Sequence, residues 1–495
     1  MKSKIIVLIC LLAQMAFSQN KSGYYTETYR PQFHFTPEAK WMNDPNGLIY
    51  LNGKYHLFYQ YHPESAVWGP MHWGHAESTD LLHWKHLSIA LYPDKLGMIF
   101  SGSAVVDKEN TAGFGKNALI AIFTYHNDEI WKAGKKNTES QALAYSLDEG
   151  KTWTKYKGNP VLNNSGEQDF RDPKVFWNES SSKWIMVLAV GDKIKVFSSP
   201  NIKDWTFESD FKPDDLPDLG VWECPDLFPM KIKSTGETKW VMIVNHGDKA
   251  PNGGSGTRYF VGNFDGKTFA ENQKSIWLDK GTDFYAAVTF SNVPDDKKIL
   301  LGWMSNWQYA PEVPTDAWRS AMTLPRELEL TTNGYFYRLE QKIIPQFLNL
   351  LTPVFEQKEV KAPYKKENLD LSQAEVSFET PDITDAIISL SNTKGEVFTI
   401  TLSGGMLVTD RSNSGKKEFS EKFAEKPQVM PIGEKVSDMR LILDKSSIEI
   451  LVNNGRYSMT NLFFPNENYS ILNIITKDNK PLQNLKISSV KSVWR

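Results

Sequence analysis

Three carboxylates stand out among the 59 acidic residues of this 495-residue chain, each within two residues of a proline in an aromatic-flanked run. The first is Asp44, in Trp41-Met42-Asn43-Asp44-Pro45-Asn46-Gly47. A residue before proline is pushed out of the helical region, so Asp44 is expected at a strand end, aimed by backbone stiffness. Pro45-Asn46-Gly47 then reads as a tight turn. The second is Asp172, in Phe170-Arg171-Asp172-Pro173. A neighbouring arginine favours the ionised form, which suits a hydrogen-bond acceptor. The third is Glu223, in Trp222-Glu223-Cys224-Pro225-Asp226, where apolar flanks favour the protonated form that a general acid requires. Taken singly, each also fits a structural role: an Asx-type turn, a salt-bridged loop, or a buried glutamate paired with a cation.

The elements that must position these residues are strands. From about Thr26 to Glu340 the chain consists of short apolar-aromatic runs, such as Ala118–Tyr125, Trp184–Val190 and Lys298–Met304, broken by Gly, Asn, Asp and Pro. No long stretch sustains a 3.6-residue apolar period, so this part is all-β. A weak repeat runs through it. Ser78–Trp84, Ser146–Trp153 and Ser198–Trp205 each read as a polar turn delivering an aromatic to the next strand, and Asn263–Phe269 is a shorter relative. The terminal aromatics lie 69, 52 and 64 residues apart, a length that suits four-stranded propeller blades around a central channel. Four copies and one blade without the signature predict five blades.

After Arg338 the text changes. Leu339–Phe347 is expected to form a brief helical connector, and Lys358–Asn368 is charged and contains proline. Beyond it, alternating runs such as Ala386–Ser391, Val397–Leu402 and Ile448–Val452 predict a second all-β unit, a sandwich. The expected division is a signal peptide over residues 1–18, a propeller over 26–340, a linker over 341–365 and the sandwich over 366–495. The three carboxylate segments fall in three different blades. Innermost strands of a propeller converge on one axial pocket, where one ionised aspartate, one acid and one ionised acceptor would match the needs of glycoside hydrolysis.

Composition narrows the setting. A net charge of −3 argues against a nucleic-acid partner. Lys2 and Lys4 precede an apolar run from Ile5 to Phe17, followed by a small-residue cut site at Ser18. This is the pattern of a signal peptide too short to span a bilayer, and it implies export to a periplasmic or extracellular place. No other stretch is apolar enough to span a membrane. Removing the signal leaves Cys224 as the single thiol, so no internal disulfide is expected. No Cys/His cluster supports a metal, and neither a metal nor another cofactor is expected.

At these motifs the chain resembles glycoside hydrolase family 32, the β-fructofuranosidases of the invertase, inulinase and levanase group. The likeness runs through Trp41–Gly47, Phe58–Tyr61, Trp68–Ala76, Phe100–Ser103, Gln141–Ser146, Phe170–Pro173, Trp222–Asp226 and Gly302–Trp307, then Ser447–Asn453 and Phe463–Pro465. One departure is Thr460-Asn461-Leu462, where the family often carries Thr-Glu-Arg. The resemblance implies a five-bladed β-propeller followed by a C-terminal β-sandwich, with retaining release of terminal fructose from fructans and sucrose and no metal. It implies Asp44 as nucleophile, Glu223 as acid/base and Asp172 as transition-state stabiliser with Arg171 alongside. Asn43, Gln60, Trp68, Phe100, Ser101 and Trp303 would line the fructose subsite. A polymeric fructan met outside the cytoplasm is the expected substrate, cut from its end. An invertase, an endo-fructanase or a fructosyltransferase would carry the same catalytic residues. A fructan-binding protein without activity would need a broken catalytic pair, and both members are present.

Overall fold

The computed structural model describes residues 25–213, 220–380 and 383–494. The expected signal peptide lies outside them. Five antiparallel sheets follow one another along the chain, each entered by its innermost strand: Lys40–Leu51, Met98–Asp107, Phe170–Asn178, Trp222–Lys231 and Tyr285–Thr289. Each of these strands contacts the next, and the fifth contacts the first, so the five blades surround a common axis. The ring is closed by Trp318–Arg319, which pairs in parallel with Lys40 and Trp41, and by a bridge from Ile49 to Ser291.

The repeated motif is the link between the third and fourth strands of blades one to four. Its serine or acidic side chain caps the turn: the Ser78 hydroxyl accepts the Leu81 N–H at 2.8 Å, and the Ser146 hydroxyl accepts the Gly150 N–H at 2.8 Å. The tryptophan then folds back, donating from Nε1 to Leu81 O in the first copy and to Gly150 O in the second. Between blades, apolar side chains interdigitate. Ile185, Val187 and Ala189 of blade three, for example, pack with Met242, Val244 and Phe260 of blade four, all buried. Continuous apolar runs such as Trp184–Val190 follow from this: a middle strand is covered by a neighbouring blade on each face.

Two six-stranded sheets form the sandwich around one apolar core. The expected linker over 341–365 is corrected here. Residues 341–343 complete the outer strand of blade five, Tyr337–Ile343, and only Pro345–Leu350 forms a short 3₁₀ turn. Leu351–Val360 is an edge strand paired with Leu482–Val490. Its charged side chains face solvent, which suits an edge strand and disguises it as a linker in the sequence.

Candidate active site

All five innermost strands carry the same irregularity at the same level. Two residues oppose one on the neighbouring strand at Asn43-Asp44, Phe100-Ser101, Asp172-Pro173, Cys224-Pro225 and Ala286-Ala287. Such bulges bend a strand and re-aim its side chains. Pro173 and Pro225 belong to them and Pro45 follows directly on one, because a proline has no N–H to give a regular ladder and is tolerated at a bulge. Asp44 therefore sits mid-strand, and the turn expected at Pro45-Asn46-Gly47 is a continuation of Lys40–Leu51 with a second bulge beyond Asn46. Gly47 does take a positive φ, 57°, and a Cβ there would lie 2.8 Å from Phe58 and from Trp73. Asp172 and Cys224 also adopt positive φ, 65° and 42°, conformations that cost a non-glycine residue energy and that here orient functional groups.

The bulges bring three carboxyls together. Asp44 accepts from Asn43 Nδ2 at 3.0 Å through Oδ1 and from the Ser101 hydroxyl at 2.9 Å through Oδ2. Asn43 is fixed in turn by Trp41 Nε1, which donates to its Oδ1 at 2.8 Å. Asp172 Oδ2 accepts the Cys224 N–H at 3.0 Å. The Cys224 thiol lies between the two aspartates, 3.5 Å from Asp44 Oδ2 and 3.6 Å from Asp172 Oδ2. Glu223, on the other face of its strand, accepts from Arg171 Nε and Nη2 at 3.1 and 3.0 Å and from the Tyr285 hydroxyl.

This geometry corrects two readings of the sequence. Arg171 does not turn to its neighbour Asp172; its guanidinium reaches Glu223, Glu139 and Asp169. Nor is the Glu223 carboxyl wrapped in apolar side chains. Strand alternation sends Trp222 and Cys224 away from it, and its partners are polar. Burial, working against the pull of Arg171 and reinforced by the charges of Glu223 and Asp44, pushes Asp172 up to about 8. Burial likewise raises Asp44, with Glu223 adding to it and the bonds from Asn43, Ser101 and Cys224 opposing it. Burial drives the Cys224 thiol well up, so it is a neutral S–H at neutral pH.

The cluster forms the floor of a cavity of about 660 Å³. Asn43, Gln60, Trp68, Phe100, Ser101 and Arg171 line its walls. Trp303 does not. It is fully buried, packed against Trp41 and Trp307 with ring centroids 6.3 and 4.8 Å away, and Trp307 faces the cavity in its place.

Sequence reasoning missed Tyr285, Glu139, Trp307 and Trp131. Glu139 accepts the Phe170 N–H at 2.6 Å and Arg171 Nη1 at 3.2 Å. Burial opposes its ionisation, but His126 and Arg171 outweigh that and hold its carboxyl below the ordinary range. It is the anchor that orients Arg171. No local pattern marks Glu139 or Tyr285, which meet their partners only through blade geometry. A tryptophan at 307, four residues after Trp303, was the one available sign for that wall.

The model described as the glycosyl hydrolases family 32 N-terminal domain matches residues 34–341, and that described as the family 32 C terminal matches residues 350–489. The chain is 44% identical to a levanase of Bacillus subtilis over 526 residues, covering 99% of this chain and 75% of the levanase. It is 37% identical to an extracellular exo-inulinase of Aspergillus niger, covering 93% of each. Among solved structures, an exo-inulinase from Aspergillus awamori superposes with a TM-score of 0.86 at 34% identity, covering 95% of this chain and 100% of that one. Convergent carboxylates, cavity and both domain matches agree: the chain belongs to glycosyl hydrolase family 32.

Proposed function

We propose that this protein is an exo-acting fructosidase that releases terminal fructose from fructans, and from sucrose, with retention of configuration. The observation that carries the reading is the meeting of Asp44, Asp172 and Glu223 on one cavity floor. They arrive from three blades, on a scaffold shared with fructan-cleaving relatives. Asp44, held by Asn43 and Ser101, attacks the anomeric carbon C2 of the terminal fructose. The C2–O bond to the rest of the chain breaks as Glu223 gives its proton to the departing oxygen, and a fructosyl ester forms on Asp44. Glu223 then takes a proton from water, which attacks C2 and frees Asp44. Arg171 and Tyr285 fix the Glu223 carboxyl for both steps, and Asp172 holds fructose hydroxyls as positive charge builds at the ring. The catalytic residues of the propeller and the structural sandwich act as two domains of one enzyme.

The same reading has the chain exported. It rests on the leader-like residues 1–18 and on relatives described as extracellular. Among the described residues no helix is long and apolar enough to cross a membrane. The test is the product profile on levan, inulin and sucrose, with the anomer of released fructose read by NMR. Fructose alone, released first as the β-anomer, is expected. A ladder of oligosaccharides would move the reading to endo-action or transfer, and an inverted first product would remove the covalent step.

A further inference from the structure

Trp131 takes no part in the catalytic account, yet it lines the same cavity. It belongs to Asp128–Lys132, a short helix none of whose residues is buried, and is itself 60% exposed. A tryptophan left in water on a helix without a buried face contributes nothing to the core. Its position is nonetheless fixed. Asn127 Oδ1 caps the helix by accepting the Ile130 N–H at 3.1 Å, the Asn127 N–H reaches Thr138 O at 2.9 Å, and the Thr138 hydroxyl donates to Lys135 O at 3.0 Å. The excursion between the second and third strands of blade two is thus closed at its base and stands at the cavity rim.

Along the cavity wall, aromatic rings follow one another. Trp68 meets Phe100 edge-on at 6.2 Å, Phe100 stacks on His126 at 4.4 Å, and His126 approaches Trp131 at 6.5 Å. Lys135 and Lys136 line the cavity beside Trp131. Sugar rings present an apolar C–H face to aromatic platforms and hydroxyl oxygens to ammonium donors.

Resting on the function proposed above, we infer that Trp131, flanked by Lys135 and Lys136, is a platform for fructosyl units beyond the one cleaved, and sets a preference for fructan chains over sucrose. Sucrose is too short to cover this wall once its fructose occupies the floor.

The test compares kcat/KM of the full-length wild type and Trp131→Ala on sucrose, nystose and inulin. Covering an exposed indole with one sugar ring is worth roughly tenfold in affinity. Trp131→Ala should therefore lose about tenfold on nystose and inulin, mostly in KM, with a loss on sucrose several times smaller. Trp131→Tyr should recover most of the difference. Equal losses on sucrose and nystose, or no loss on nystose, would overturn the inference. If wild type cleaves fructans and only the chain-length effect is missing, the proposed function stands and this inference alone falls. If wild type cleaves none of the three substrates, both fall.

Discussion

Two buried polar clusters in this protein have similar residue types and opposite electrical balance. One lies between propeller and sandwich. Arg326 donates from Nε to Glu449 at 3.1 Å and from Nη1 to Asp279 at 3.1 Å, while His34 sits between Asp444 and Glu449 at 2.8 and 2.9 Å. Burial works against the charges of Arg326, His34 and Glu449, but their partners win. Arg326 and His34 hold Glu449 down to about 2, and the two carboxylates raise His34 to about 9. The other cluster is the active site, where Asp44, Asp172 and Glu223 face one another and the nearby cation is committed to Glu223, Glu139 and Asp169. There burial wins and Asp172 is pushed up to about 8. Compensated charge fastens the domains, whereas carboxyls such as Asp44 and Asp172, which accept hydrogen bonds from neutral donors, are the pattern of a functional site.

Substitutions should therefore act in opposite directions at the two places. The largest effect belongs to Asp44→Asn, which keeps the shape and removes the proposed nucleophile. Turnover should fall by roughly four orders of magnitude or more while the fold is retained, measured by kcat and by thermal unfolding. Next comes Glu449→Gln at the domain interface. It leaves Arg326 and His34 facing too little negative charge, so stability should drop by about 3–5 kcal/mol, read from denaturant unfolding. Asp172→Asn should do the reverse and stabilise by about 1–2 kcal/mol at pH 8 while crippling activity. A destabilised Asp172→Asn would break the comparison.

The pH dependence follows the same division. His34 has a raised value when folded, so its contribution is complete below its unfolded value of about 6.5 and is lost as pH rises through about 9. Glu449 has a depressed one, so its contribution is complete above its unfolded value near 4.5 and is lost as pH falls through about 2. The domain contact is thus strongest between these unfolded values. Asp172, raised when folded, costs stability as pH climbs from its unfolded value of 3.8 to about 8, and unfolding curves of Asp172→Asn should lack that slope. The smallest effect is expected from Cys224→Ser. A hydroxyl donates more strongly than a thiol to Asp44 and Asp172, favouring their ionised forms, so the pH–rate limb set by Asp172 should move to lower pH by less than about one unit. Reducing agents should make no difference to the native enzyme, because the thiol is used as a neutral neighbour.

How much of this was legible follows from what each feature depends on. Strand runs, the turn-and-aromatic repeat and the three proline-marked carboxylates are local patterns, and they led to the propeller and to Asp44, Asp172 and Glu223. The bulges were present in the sequence only as prolines inside apolar runs, and were misread at Asp44 as a strand end with a turn. The partner chosen by Arg171 was misread because adjacency in sequence places side chains on opposite faces of a strand. Trp303 was assigned to the cavity by the family resemblance, and the motif Gly302–Trp307 does not say which of its two tryptophans lies in front. The departure at Thr460-Asn461-Leu462 falls on a sandwich strand whose partners no local pattern reveals. In the structure Thr460 bonds Asp279 and the Leu462 N–H reaches Asp283, so this strand forms the contact with the propeller.

The central claim, a covalent route through Asp44 with Glu223 as acid and base, is tested most directly in Glu223→Ala. A fructoside with an activated, low-pKa aglycone needs no acid to leave, so the variant should form the ester on Asp44 in a burst and then hydrolyse it slowly. Azide, which needs no general base, should accelerate turnover and give β-fructosyl azide, while hydrolysis of sucrose and fructan stays crippled. Equal losses on activated and natural substrates without azide rescue, or an azide product of inverted configuration, would contradict the account.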